Sequence, residues 1–309
     1  MDEIIKIDNL TKDFGQERGV FGVSLGIKKG EVFGLVGING SGKTTLMRHL
    51  MGFLKPDRGS SAIMNMDSWR CAEIIKKSVG YIPGEISFPD VKSGVDFLRL
   101  QAEYMGLTDM NFSEVLMQKL NLDATAKLKR MSKGMKQKTA IVNALMTDSD
   151  ILLLDEPTTG LDPLMQKSFT DIIINEKKKG KTIFMSSHLF DEMEHTCDRV
   201  AFLKNGHIIH VVDMSTIHGN ESVKEYKIEF NNSADYANFL SRSFSVLRKQ
   251  DEYNQASISI PDADIGALFH VLSGMDIRYI THKPYTLEAC FSEIYNKTEV
   301  ATPPKEAVA

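Results

Sequence analysis

The run Gly37-Ile-Asn-Gly-Ser-Gly-Lys-Thr-Thr45 has residue types and spacing suited to chemistry. Gly37, Gly42, Lys43 and Thr44 satisfy G-x-x-x-x-G-K-[ST], with a further glycine at Gly40. Glycines remove side chains, so backbone N–H groups from Asn39, Gly40, Ser41 and Gly42 can turn inward around phosphate oxygens. Lys43 supplies a point charge for the outer phosphates and Thr44 a hydroxyl for Mg²⁺. Thr45 opens the helix whose N-terminus adds a partial positive charge. The pattern implies a nucleoside triphosphate ligand. A second constellation follows at Asp155-Glu156, where the apolar run Ile151–Leu154 ends in paired carboxylates. A strand ending there sets Asp155 at the carboxyl edge of a sheet, next to a phosphate site, to hold Mg²⁺ directly or through water. Glu156, one residue on, is suited to polarise an attacking water as general base. The plainer alternative is a strand followed by a solvated acidic turn.

These groups need elements to position them. Val32–Val36 reads as a short buried strand, and Leu46, Met47 and Leu50 fall on one helix face. The loop therefore has the strand–loop–helix setting that its pattern requires. Before it, Ile4–Leu10 alternates like an edge strand and Val20–Ile27 reads as another, followed by a turn at Lys28–Gly30. Pro56–Gly59 has turn chemistry, and Val79–Ile82 reads as a strand ending at Pro83. The spacing predicts helices from Asp90 to about Met146: Val95, Leu98, Ala102 and Met105 recur at helical intervals, and Gly106 supplies a stop. Asn111 with Glu114 resembles a capping box, and Ser132 caps a third helix. Asp162 and Pro163 open a helix that Gly180 closes, and Thr182–Ser186 is a strand. Asn205-Gly206 predicts a type I′ hairpin between Val200–Leu203 and Ile208–Val212.

Thr216–Glu221 is polar and reads as a linker. Beyond it the order is strand (Lys224–Phe230), helix (Ala234–Ser241), strand (Phe244–Lys249), strand (Ala256–Ile260), helix (Asp264–Met275), strand (Ile277–Thr281). This is a βαββαβ, ferredoxin-like arrangement. Leu287–Tyr295 reads as a last amphipathic helix and 298–309 as a disordered tail. The expected fold class is α/β with a small C-terminal α+β domain. The expected boundaries are 1–215 with a helical subdomain at about 86–146, then 222–297, then the tail.

The 309 residues are 42% apolar, enough for real cores, and carry a net charge of −4. That charge gives no nucleic-acid footprint, and Lys177–Lys179 closes a helix, where cations complement the macrodipole. Three dispersed cysteines indicate a reducing compartment. The histidines have no metal-ligand spacing. The start lacks the features of a signal peptide, and no window approaches the ~20 apolar residues of a membrane span. A membrane role would require a separate partner.

Further motifs resemble those of the ATP-binding cassette (ABC) ATPases. Arg130-Met-Ser132-Lys-Gly134-Met-Lys-Gln137 is similar to the family signature, commonly Leu-Ser-Gly-Gly-Gln; Lys133 departs from its glycine, and two residues separate Gly134 from Gln137. The variant resembles those of ATP subunits of bacterial drug and antibiotic exporters. Thr159-Gly-Leu-Asp162 resembles the D-loop and Ser186-Ser-His188 the switch histidine. Phe14 stands where the family has an adenine-stacking aromatic; Phe21 is available instead for the core. After Val79–Pro83 the family has glutamine, whereas here Gly84 and Glu85 follow, so Glu85 is the substitute ligand toward Mg²⁺.

The resemblance covers residues 1 to about 215. It implies a P-loop NTPase core with a helical signature subdomain, and ATP with Mg²⁺ as ligands. It implies catalytic roles for Lys43, Glu156 and His188, nucleotide contacts from Ser132, Gly134 and Asp162, and metal contacts from Thr44 and Asp155. It further implies a head-to-tail homodimer with two ATP at the interface, on the cytoplasmic face of a membrane against an integral permease. A soluble ABC ATPase would bring a coiled-coil insert, two cassettes or a basic face. A GTPase would bring Asn-Lys-x-Asp, and Asn296-Lys-Thr-Glu299 fails at its last position.

Overall fold

Apolar alternation builds the first sheet and continuous apolar runs build the second. The computed structural model describes residues 2–219 and 223–300. Strand β1 (Glu3–Asp13) buries Ile5, Ile7 and Leu10, and β2 (Gly19–Lys28) buries Val20, Val23, Leu25 and Ile27. Strand β3 (Val32–Val36), buried throughout, leads through the glycine loop into α1 (Lys43–Leu50). Then come β4 (Arg58–Ile63), β5 (Met66–Asp67), α2 (Ala72–Ser78) and β6 (Val79–Ile82). Helices α3 (Gly94–Tyr104), α4 (Asn111–Lys119) and α5 (Lys133–Met146) separate β6 from β7 (Ile151–Asp155). They are followed by α6 (Pro163–Lys178), β8 (Thr182–Ser187), α7 (Phe190–Thr196), β9 (Arg199–Lys204) and β10 (His207–Asp213).

Six strands make one sheet in the order β10-β9-β3-β8-β7-β6, parallel except for β10. Strands β3, β7 and β8 are buried along their whole length, as expected of parallel strands covered on both faces. A four-stranded antiparallel sheet has the order β2-β1-β4-β5. One core joins the two sheets through α1: Ile5, Leu10, Leu25, Leu46, Met47, Leu50, Leu153 and Phe184 belong to it.

Several expectations are corrected. Strand β1 is interior, not an edge: β2 and β4 pair with it on either side. Alternation reports only that one face is wet, and an interior strand of a half-solvated sheet shows the same pattern. The supposed turn Pro56–Gly59 gives its last two residues to β4. Gly59 sits at φ 73°, and a Cβ there would lie 2.2 Å from the Asn9 carbonyl oxygen, so the glycine serves a close approach to β1.

Asn111 does not cap α4; it is the helix's first residue, and its N–H and Nδ2 donate to the carboxylate of Asp109 at 2.8 and 2.9 Å. The reciprocal box lies at α3 instead. There Ser93 Oγ accepts from Asp96 N, and Asp96 Oδ2 accepts from Ser93 N. Asp162 caps α6 as expected, accepting from Met165 N at 3.0 Å, with Pro163 at the first turn. Asn205 and Gly206, both at positive φ, close the β9–β10 hairpin.

The chain divides into two compact units between Asp213 and Met214. The second opens with α8 (Met214–Gly219) where a linker was expected. Its Met214 and Ile217 are buried, a helical i, i+3 pair inside an otherwise polar string. Residues 220–222, the rest of that linker, lie outside the described residues. Strand β11 (Val223–Phe230), α9 (Ser233–Leu240), β12 (Ser245–Gln250), β13 (Gln255–Pro261), α10 (Ile265–Leu272) and β14 (Ile277–Lys283) follow. The sheet order β12-β13-β11-β14, antiparallel throughout, is the ferredoxin-like arrangement. Ile228, Phe230, Phe239, Ile258, Leu268 and Leu272 form its core. The final helix α11 (Leu287–Val300) runs past Tyr295 and takes in the first three residues of the expected tail. The remainder of that tail, 301–309, lies outside the described residues.

Candidate functional site: a phosphate-binding crevice

Strand order brings the chemistry together. β3, β8 and β7 are neighbours, with Val36 level with Ser187 and Asp155 level with Ser186. The glycine loop after β3, the carboxylates closing β7 and His188 after β8 therefore share one carboxyl edge, where ligands of α/β sheets bind. A cavity of about 400 Å³ opens there, lined by Phe14, Arg18, Gly19, every loop residue from Asn39 to Thr45, Gly84, Glu156, Thr159 and His188. Gly37 stays behind the cavity, where its carbonyl oxygen accepts from Lys43 Nζ at 2.7 Å.

Glu156 is the hub. Its Oε1 pairs with Lys43 Nζ at 3.2 Å, and its Oε2 accepts from His188 Nδ1 at 2.6 Å. The residue holds φ at 50°, a left-handed backbone that costs a non-glycine side chain of order 1 kcal/mol. Its N–H is fixed in that pose by the carbonyl and hydroxyl oxygens of Ser186, each at 3.1 Å. The strained turn carries the carboxylate from the end of β7 into the cavity.

Asp155 is 1% exposed and its Oδ1 accepts from Ser186 Oγ at 2.6 Å, while its Oδ2 is buried with no hydrogen-bond partner. A bare buried carboxylate oxygen is costly, and a cation would complete it. A Cβ built on Gly84 would lie 2.6 Å from Asp155 Oδ2 and 3.3 Å from Thr44 Oγ1. Those two oxygens flank one small gap that any larger residue at position 84 would fill. Hard oxygen donors suit Mg²⁺, so Asp155 and Thr44 could hold it. Glu85 is exposed and does not line the cavity.

The signature residues stand apart. Ser132 is exposed and caps α5 by accepting from Met135 N at 3.2 Å. A Cβ on Gly134 would come within 3.0 Å of the Gly160 carbonyl oxygen, so this end of α5 rests on the loop after Glu156. None of Ser132, Gly134 and Asp162 lines the cavity. Gln137 is buried, donating to the Pro157 carbonyl oxygen at 2.7 Å, and thus ties α5 to the same loop. Phe14 is half exposed at the rim, whereas Phe21 packs on His207 with ring centroids 5.4 Å apart.

The family profile described as ABC transporter matches residues 20–159. An uncharacterized ABC transporter ATP-binding protein of Methanocaldococcus jannaschii is 34% identical over 211 residues, 67% of this chain and 76% of that protein. The chain belongs to the ABC transporter ATP-binding proteins. This ABC protein is also 28% identical to the bacitracin transport ATP-binding protein of Bacillus licheniformis, over 95% of its own length and 98% of that relative's. Among solved structures, an ATP-binding subunit of an ABC transporter superposes with TM-score 0.64 at 27% identity, covering 70% of this chain and 92% of that one.

The cavity of this ABC protein also has walls that sequence reasoning missed. Arg18 and Gly19 reach it because β1 and β2 turn over the glycine loop, a contact across sheets with no local signature. Thr159 was visible only as part of the D-loop resemblance. Its Oγ1 lies 3.4 Å from Glu156 Oε2. No helix among the described residues is long and apolar enough to cross a membrane.

Proposed function

We propose that the chain is the ATP-hydrolysing subunit of an exporter of drug-like, antibiotic-like or peptide compounds. In this reading two copies work head to tail on the cytoplasmic face, against a separate integral membrane permease. The observation that carries it is the convergence of Lys43 and His188 on the Glu156 carboxylate, inside a cavity that Ser132 and Gly134 do not line. A site with its base, its lysine and its histidine in place but its signature serine elsewhere is completed by a second copy.

The residues divide the work. Loop N–H groups and Lys43 bind the phosphates, Phe14 takes the adenine, and His188 takes the γ-phosphate. The γ-phosphate carries more charge than one carboxylate, so on arrival it draws Lys43 and His188 away from Glu156. The freed carboxylate accepts a proton from water as its oxygen attacks the γ-phosphorus and the ADP oxygen leaves. Mg²⁺, held by Thr44 and Asp155, would neutralise charge on the phosphate oxygens. The Ser132 of the second copy contacts the same γ-phosphate in this reading, so its loss on hydrolysis breaks that link and the pair opens. The near full-length similarity to a bacitracin transport protein, which includes the C-terminal unit, supports the cargo class.

Tagged chain co-expressed with its permease is expected to co-purify with that polytopic protein from detergent-solubilised membranes. Inverted vesicles carrying both should accumulate a bacitracin-like peptide only with ATP. Recovery of the chain solely from the soluble fraction, with no ATP-dependent uptake, would overturn the transport reading.

A further inference from the structure

Glu192, on α7, is a buried carboxyl with no place in the scheme above. It is 7% exposed, and its Oε2 accepts from two hydroxyls, Ser187 Oγ at 2.7 Å and Thr158 Oγ1 at 3.1 Å. Both partners are fully enclosed, at 0% and 2% exposure. Each also stands beside a cavity residue. Ser187 immediately precedes His188, and Thr158 lies two residues after Glu156 and one before Thr159. One oxygen therefore joins the loop that carries the histidine to the loop that carries the glutamate. Ser187 Oγ also accepts from Leu189 N at 3.0 Å, so the backbone on both sides of His188 is tied to this point. The α7 helix is braced in turn, since Thr196 Oγ1 donates to the Glu192 carbonyl oxygen at 2.7 Å.

We propose that the Glu192 carboxyl is a positioning residue for ATP hydrolysis, which locks the Glu156 loop and the His188 loop in one arrangement; this rests on the ATPase reading given above. Glu192 does not line the cavity, and acts only through Thr158 and Ser187. Burial pushes its pKa up to about 7, with the nearby Glu156 charge adding to the rise and the two hydroxyl bonds opposing it. A carboxyl with a raised pKa keeps the accepting oxygen while carrying less negative charge, on average, beside Glu156 and the incoming triphosphate. Its other oxygen, Oε1, is buried with no partner, which a neutral acid tolerates better than a carboxylate does.

The test uses the full chain and compares wild type, Glu192→Gln, Glu192→Ala and Thr158→Val. Steady-state hydrolysis gives kcat and calorimetry gives the ATP dissociation constant. Glu192→Ala is expected to lower kcat at least about tenfold, since small displacements of reacting groups are that costly, with ATP affinity held within about twofold. Glu192→Gln should restore kcat to within about threefold of wild type, because its amide oxygen accepts the same two hydroxyls. Thr158→Val, isosteric but without a hydroxyl, should lower kcat and leave ATP affinity unchanged. The double variant Thr158→Val/Glu192→Ala should be no slower than Glu192→Ala alone.

Wild-type kcat in Glu192→Ala would overturn the inference, as would a Glu192→Gln variant as slow as the alanine. A parallel loss of kcat and ATP affinity in a folded Glu192→Ala would also overturn it, since a residue that only positions the two loops leaves binding intact. Should Glu192→Ala not fold, Thr158→Val decides: a normal kcat overturns the inference and a lowered one at normal affinity supports it. An inactive wild type overturns this inference and the ATPase reading together. An active wild type with an unaffected Glu192→Ala overturns this inference alone.

Discussion

Glu156→Gln is expected to bind ATP at least as tightly as wild type and to hydrolyse it at least about 100-fold more slowly, the usual contribution of a positioned general base. The substitution preserves size and leaves an amide oxygen to accept from His188 Nδ1, now 2.6 Å from the carboxylate. It removes the basic oxygen and the ion pair to Lys43 at 3.2 Å. Binding improves because the resting carboxylate competes with the γ-phosphate for Lys43 and His188, and an uncharged amide competes less. Calorimetry and single-turnover hydrolysis separate the two effects. Hydrolysis at the wild-type rate would remove Glu156 from the role of base.

Lys43→Ala should act on the other quantity. Its Nζ is held at 2.7 Å from the Gly37 carbonyl oxygen, and the side chain is 6% exposed, so the charge is placed in advance at the loop. Losing one charge-assisted contact of about 1.5–3 kcal/mol weakens ATP binding by about ten- to a hundred-fold. Glu156 keeps His188 as partner, and α1 keeps its buried apolar face of Leu46, Met47 and Leu50. The fold should therefore persist, as circular dichroism would report. Unchanged ATP affinity by calorimetry would contradict the assignment of the glycine loop as the phosphate site.

What could be read from sequence was what the chain decides locally. The Gly37–Thr45 loop, the Asp162-Pro163 helix start, the Asn205-Gly206 turn and the strand Ile151–Asp155 depend on neighbours a few residues away. The cavity-lining loop residues and Glu156 are legible because they follow strands, where a short motif carries its own context, whereas His188 is legible only through its resemblance to the switch histidine. Contacts between distant segments left no such trace. The interior place of β1 depends on β4 pairing beyond it, and Gly59 depends on Asn9 across that pair.

Gln137 closes the stretch that resembles the family signature, and its side chain turns inward to the Pro157 carbonyl oxygen. Periodicity shows which helix face is buried, not which polar group the buried face must satisfy. The meeting of Thr158, Ser187 and Glu192 was hidden for the same reason. Three polar residues on three elements share one hydrogen-bonded point only after β7 and β8 pair.

The central claim is that each copy holds half of a reaction chamber, and that ATP draws two copies together. Analytical ultracentrifugation of Glu156→Gln with saturating Mg-ATP and with Mg-ADP tests it most directly. Dimers with ATP and monomers with ADP are the predicted result. A strictly monomeric Glu156→Gln at saturating ATP, alongside a wild type that hydrolyses ATP at its full rate while monomeric, would contradict the account.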